Sequence, residues 1–125
     1  MGHTFPKSDR VLKRGDFLAA QKHGRRLHAA HFVLVLHAQK AQAGVRLGLV
    51  TSRKVAGAVG RNYVRRVLRE TFRLHRERFP ASHDVVVIAK EGAADLDSSR
   101  IRDEILGALE RRRAPRAQPP QGPTP

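Results

Sequence analysis

The chain has 125 residues, enough for one domain and not for two, and its 40% apolar content is enough to build a core. Lysine and arginine number 25 against 11 aspartate and glutamate, a formal net charge of +14, and the sequence pI is near 11.7. Such a charge points to a nucleic acid or another anionic surface as partner. Arginine outnumbers lysine, which favours planar, bidentate contacts with phosphates and base edges. The absence of cysteine excludes a disulfide framework and a thiolate metal site. No apolar run approaches the ~18–20 residues of a membrane span, and the opening MGHTFPKSDR lacks the apolar core of a signal peptide. Pro6 stands where a myristoylation site needs Ser or Thr. A soluble, cytoplasmic protein is expected.

Residues 1–13 carry Lys7, Arg10 and Lys13 with little periodicity and read as a basic N-terminal arm. A short helix is expected over residues 14–23, with Asp16 in its first turn and Gly24 as its C-terminal cap. Phe17, Leu18 and Gln21 share one of its faces. Two strand-like runs follow. In HFVLVLHA, residues 31–38, Phe32, Leu34 and Leu36 point one way and Val33, Val35 and His37 the other. The second run is RLGLVT, residues 46–51, and the polar residues 39–44 between the two suit a hairpin loop. Residues 25–29 are a candidate for a short additional strand.

Residues 51–60, TSRKVAGAVG, bring a serine, cations and glycines to the start of the longest helix, where free backbone N–H groups attract anions. No Gly-Lys-Ser/Thr follows, so this is not a Walker phosphate loop. The helix begins RNYVRRVLRETFRLHR and is expected to run to about Phe79, where Pro80 stops it. A turn of about 100° per residue gathers Val64, Val67, Leu68, Thr71, Phe72 and His75 into one stripe. Arg61, Asn62, Arg65, Arg66, Arg69, Arg73 and Arg76 share another arc, with Glu70 and Glu77 pushed to its border. Like charges at i,i+4 destabilise a helix, and a polyanion laid along the arc offsets that cost. RNA or DNA is the partner expected; a solvated charged face is the plainer alternative.

The run DVVVIA, residues 84–89, is continuous, apolar and β-branched, as expected of a strand buried on both faces. Strand, helix and strand make a βαβ unit, so RLGLVT and DVVVIA are expected to run parallel. The last helix has Asp97 as its cap, with Leu96 and Ile101 spaced as a hydrophobic staple. Its positions Ile101, Ile105, Leu106 and Leu109 follow the helical period. From Ala114 onward, APRAQPPQGPTP buries nothing and is expected to be disordered. The expected division is a basic arm at 1–13, an α/β domain at 14–113 and a Pro-rich tail at 114–125.

Catalytic chemistry finds little support in these residues. His28 and His31 are spaced to lie on opposite faces of a strand, and His3, His37 and His83 have no acidic neighbours at ligand spacing. Asp95 and Asp97 are accounted for as loop and cap, and Glu70 and Glu77 stand isolated among arginines. Nothing resembles the clustered carboxylates that hold two metal ions for phosphodiester hydrolysis. No catalytic residue and no metal ligand is therefore assigned.

The segment SRKVAGAVGRNYVRRVLRETFR closely resembles the signature of the bacterial ribonuclease P protein subunit. That family shows a Ser-Lys-Lys strand end, an Ala-Val pair, and then Arg-Asn-Arg-x-Lys-Arg-x-x-Arg-Glu. Here the residues are Ser52, Arg53 and Lys54, then Ala58 and Val59, then Arg61, Asn62, Tyr63, Val64, Arg65, Arg66, Val67, Leu68, Arg69 and Glu70. The flanking His23-Gly24, Phe32-Val33-Leu34, Arg46-Leu47-Gly48-Leu49 and Asp84 to Ala89 agree in order, so the likeness covers roughly residues 9–112.

The resemblance implies an α+β, two-layer fold: a four-stranded mixed sheet with helices packed around it and a left-handed βαβ crossover, as in one domain of a small-subunit ribosomal protein. It implies an accessory subunit that pairs with a catalytic RNA, the RNA binding Mg²⁺ and hydrolysing precursor tRNA at the 5′ end of the mature sequence. The protein would contact that RNA and the 5′ leader, raising substrate affinity and strengthening functional Mg²⁺ binding. Carried over by position, Arg61, Asn62, Arg65, Arg66 and Arg69 would face the catalytic RNA, with Arg53 and Lys54 extending the surface. The leader would lie in a groove between the first helix and the sheet, touched by Phe17, Val33 and Val35. Tyr63 replaces a motif arginine, so that contact is either lost or replaced by stacking. Gln21 and Val35 stand where the groove commonly has aromatics. A structural RNA binder of ribosomal type, with no catalytic partner, is the competing expectation.

Overall fold

The computed structural model describes residues 14–39 and 44–112. The expected basic arm at 1–13 and Pro-rich tail at 114–125 lie outside the described residues. In chain order the elements are α1 (Arg14–His23), β1 (Arg25–His28), β2 (Phe32–Ala38), β3 (Val45–Val50), α2 (Ala58–Leu74), β4 (His83–Ala89) and α3 (Ser98–Arg112). Short 3-10 turns at Arg76–Arg78 and Ala93–Asp95 flank β4.

The strands form one mixed sheet in the order β1-β2-β4-β3. β4 runs antiparallel to β2 and parallel to β3. Its valines Val85, Val86 and Val87 are at most 1% exposed, so both of its faces are covered and it takes a central place. This corrects one expectation. Residues 39–44 do not close a hairpin between neighbouring strands, because β4 lies between β2 and β3. The hairpin is instead β1–β2, where the Ala29 N–H donates to the Phe32 carbonyl at 2.8 Å.

One face of the sheet carries the main core. Phe32, Leu34 and Leu36 from β2, Val85 and Val87 from β4 and Leu47 from β3 meet Val64, Leu68 and Phe72 of α2 and Ile101, Ile105 and Leu109 of α3. Each such buried side chain stabilises the fold by roughly 1.5–3 kcal/mol. The opposite face is covered only in part, by α1, whose Ala20 packs on Val35 and Val86. Gly24 makes that approach possible. A Cβ there would lie 2.5 Å from the Ala20 carbonyl oxygen and 2.5 Å from Val35 Cγ1.

The expected stripe of α2 is the one buried, but the helix ends earlier than Phe79. It stops at Leu74, and His75 leaves helical geometry at φ −126 and ψ 35. The 3-10 turn then brings Phe79 back edge-on to Phe72, with ring centroids 5.0 Å apart. Burying both rings outweighs one more helical turn that would aim Phe79 elsewhere. At α3, the Arg100 N–H donates to Asp97 Oδ1 at 2.9 Å, the cap read from the sequence.

Candidate nucleic-acid interface

Between β3 and α2 the chain makes a tight turn closed by the Val55 N–H donating to the Ser52 carbonyl at 3.0 Å. That places Arg53 and Lys54 at the corner, both exposed. α2 starts after Gly57 with no side-chain cap on its first N–H groups, so these donors and the helix dipole face the same region as the turn's cations. Arg61 folds back to donate from Nη1 to the Ala56 carbonyl at 3.1 Å, which ties the helix start to the turn.

Along α2 the arginines stay on the solvent side. Arg66 and Arg69 are exposed, and Arg61 and Arg65 are partly so. Arg65 Nη1 lies 3.4 Å from Asn62 Oδ1, and Arg73 pairs with Glu70. Among the described residues Arg53, Lys54, Arg61, Arg65, Arg66 and Arg69 have no carboxylate partner. An exposed pair such as Arg73–Glu70 contributes only ~0.3–0.5 kcal/mol, too little to hold that arginine from a stronger anion. Tyr63 sits at the border of the arc. Its hydroxyl donates to the Leu96 carbonyl at 2.7 Å, and the Arg66 guanidinium lies over its ring, 5.8 Å from the centroid.

The half-covered face of the sheet is ordered in rows of register partners. Val50, Ile88, Val33 and His28 form the row at the end where β3 leads into the Arg53–Lys54 turn. Val33, Val50 and Ile88 are only partly buried. The next row, Gly48, Val86, Val35 and Arg26, lies under α1. The third row is polar: Asp84, fully buried, is held by Arg46, which also reaches Asp16 of α1. Phe17, Leu18, Gln21 and Arg14 of α1 form with Val50 an open cleft of about 400 Å³.

The sequence profile of the family described as Ribonuclease P matches residues 5–113. The chain belongs to that family. It is similar to the ribonuclease P protein component of Geotalea uraniireducens, 41% identical over 108 residues that span 86% of this chain and 94% of that one. The component from Desulfovibrio desulfuricans is 43% identical over 113 residues, 87% of this chain and 86% of the relative. Among solved structures, the RNase P protein of Staphylococcus aureus matches with a TM-score of 0.79 at 30% identity, covering 86% of this chain and 97% of that one. The Thermotoga maritima RNase P protein matches at 0.74 and 32% identity, covering 82% and 96%.

Of the residues of the ribonuclease P motif, Arg53, Lys54, Asn62, Arg66 and Arg69 are exposed and Arg61 and Arg65 partly so, along the turn and α2. The structure separates the three groove residues. Phe17 and Val33 are partly buried and reachable, but Val35 is 0% exposed beneath Ala20. Val35 therefore supports α1 and is no contact residue, a correction to its place in the groove. Ile88, Val50 and Leu18 are the reachable apolar residues that the sequence left out. Leu18 was on the same helix face as Phe17; Ile88 and Val50 come beside Val33 only through strand register. His31 Nδ1 lies 2.6 Å from Glu104 Oε2, and among the described residues no group of three or more is placed to hold a metal ion.

Proposed function

We propose that this chain is the protein subunit of ribonuclease P, binding the catalytic RNA along α2 and the precursor-tRNA 5′ leader across the Val50–Ile88–Val33 row. The observation that carries this is the run of cations without a carboxylate partner among the described residues, from Arg53 and Lys54 through Arg61, Arg65, Arg66 and Arg69. It begins where the open row ends. An RNA strand leaving the arginine face would pass the Arg53–Lys54 turn to reach that row. Phe17, Leu18 and Val33 give the leader an apolar floor for its bases, while Arg14 at the cleft mouth offers a phosphate contact.

The protein's part is binding. Contacts to the leader lie away from the bond that breaks, so they stabilise substrate and transition state alike and act mainly on KM. Arginines that neutralise RNA phosphates replace condensed counterions, so the folded, active RNA needs less Mg²⁺ in bulk. The catalytic Mg²⁺ is held by the RNA in this reading, no protein partner is required, and the work is done in the cytoplasm. No described helix is long and apolar enough to cross a membrane.

Reconstitution with a bacterial catalytic P RNA at low Mg²⁺ tests the proposal. Addition of the protein is expected to raise precursor-tRNA cleavage, chiefly through KM, and the gain should grow as leader nucleotides are added. Cleavage unchanged by the protein would leave only a structural RNA binder. Enhancement that ignores leader length would remove Phe17 and Val33 from the site.

A further inference from the structure

Two of the three large apolar side chains exposed among the described residues flank the Tyr63–Arg66 pair. Val59 is 84% exposed and Leu74 50% exposed. Both stand beside Tyr63, at the border between the arginine arc and the buried stripe of α2. Exposed apolar groups in a cationic surface ask for a partner with apolar faces and anionic links. Tyr63 and Arg66 form the wall between two recesses. One, about 350 Å³, lies between α2 and α3 and is lined by Leu74, His75, Ser98 and Arg102. The other, about 310 Å³, lies against Val59 and Asn62.

We infer that the Tyr63–Arg66 pair is a stacking post for an unpaired base of the RNA bound along α2. The inference rests on the RNA-binding reading of that helix and specifies the kind of nucleotide it takes. The Tyr63 ring is fixed by its hydroxyl on the Leu96 carbonyl, and Arg66 lies over that ring. The ring held in place and the guanidinium 5.8 Å from its centroid are thus presented together to the RNA. Unpaired bases stack on guanidinium planes and aromatic rings, whereas paired bases spend both faces on their neighbours. Leu74 or Val59 closes the other side of the base. In the larger recess Arg102, whose nearest carboxylate is Asp103 at 3.9 Å on its own helix, stands opposite as a contact for the nucleotide's phosphate. Glu70 also lines this recess, but it is paired with Arg73.

Stacking and simple charge attraction predict different results for Arg66→Lys, which keeps the charge and loses the plane. The full chain is titrated onto a bacterial catalytic P RNA transcript over a range of salt concentrations. Arg66→Lys is expected to bind roughly fivefold or more weakly with an unchanged slope of log affinity against log salt. Of Leu74→Ser and Val59→Ser, at least one should weaken binding comparably, again at constant slope. All three side chains are exposed, so the variants should melt with the wild type. Wild-type affinity for Arg66→Lys, or for both serine variants, overturns the stacking post. Failure of the wild-type chain to bind the transcript would instead overturn the functional reading beneath it.

Discussion

Arg46 holds Asp84 through two parallel hydrogen bonds, Nε to Oδ1 at 2.8 Å and Nη2 to Oδ2 at 2.9 Å. Gln39 Nε2 donates to the same carboxylate at 3.1 Å, and Arg46 Nη1 lies 3.5 Å from Asp16. One guanidinium therefore links β3, β4 and α1. The hydrogen bond to Asp84 raises the Arg46 pKa above its ordinary value, so the guanidinium stays charged at any working pH. Arg46→Ala leaves a fully buried carboxylate without its main partner. Because the Arg46 side chain is 29% exposed, water can enter, and the loss should fall near the lower end of the usual range, about 3 kcal/mol. Urea unfolding checks this. Leader-dependent affinity should fall further than affinity for leaderless substrate, since α1 loses a tether beside the groove.

Tyr63→Phe keeps the ring and removes one donor to the Leu96 carbonyl. The expected loss is about 1 kcal/mol, a drop of roughly 4–8 °C in melting temperature for a domain of this size. Binding to the catalytic RNA should be nearly retained, because Arg66 still finds the ring beneath it. A large loss of RNA affinity with an unchanged Tm would place the hydroxyl in the RNA contact instead.

Two glycines of the α1 region should respond with opposite sign. Gly24→Ala sets a Cβ against a backbone carbonyl and Val35, and overpacking of this kind costs about 1–3 kcal/mol. Gly15 lies within α1 with nothing within 4 Å of a new Cβ. Gly15→Ala should therefore stabilise, by up to about 1 kcal/mol. Thermal melts of the two variants suffice, and a shared sign would contradict the packing of α1 on β2.

What could be read from the sequence was what local spacing determines. The buried stripe and arginine arc of α2 repeat every helical turn, and the Asp97 cap acts within three residues. Alternation along β2 correctly grouped Val33 with Val35 but could not say which of them α1 would cover. The central place of β4 depends on pairing across sequence distance, so a short polar loop looked like a hairpin. Tyr63 shows the same limit. Its spacing put it beside the arc, but its hydroxyl partner, Leu96, belongs to a distant turn.

The Asp97 cap gives a pH dependence. The Arg100 N–H first, then the Ser99 hydroxyl, hold its carboxyl below the usual carboxylate value. A depressed folded-state pKa stabilises above the unfolded value, and that stabilisation is lost as pH falls through the folded one. Wild type should therefore melt above Asp97→Ala at neutral pH, with the gap closing below about pH 4. A gap that stays constant down to strong acid would mean that the ionised carboxylate is not what caps α3.

Arg65 and Arg69 give the sharpest test of the arginine face, because neither has a carboxylate partner among the described residues. Each phosphate contact contributes about 0.9 to the slope of log affinity against log salt on duplex, less on single strands. Arg65→Ala with Arg69→Ala should therefore weaken catalytic-RNA binding and flatten the slope by up to about two. Arg73→Ala should do less, since Glu70 already offsets part of that charge. If the double variant kept the wild-type slope, the arc would face solvent, and the order of Arg61, Asn62, Arg65, Arg66 and Arg69 along α2 would have to serve something other than phosphate contact.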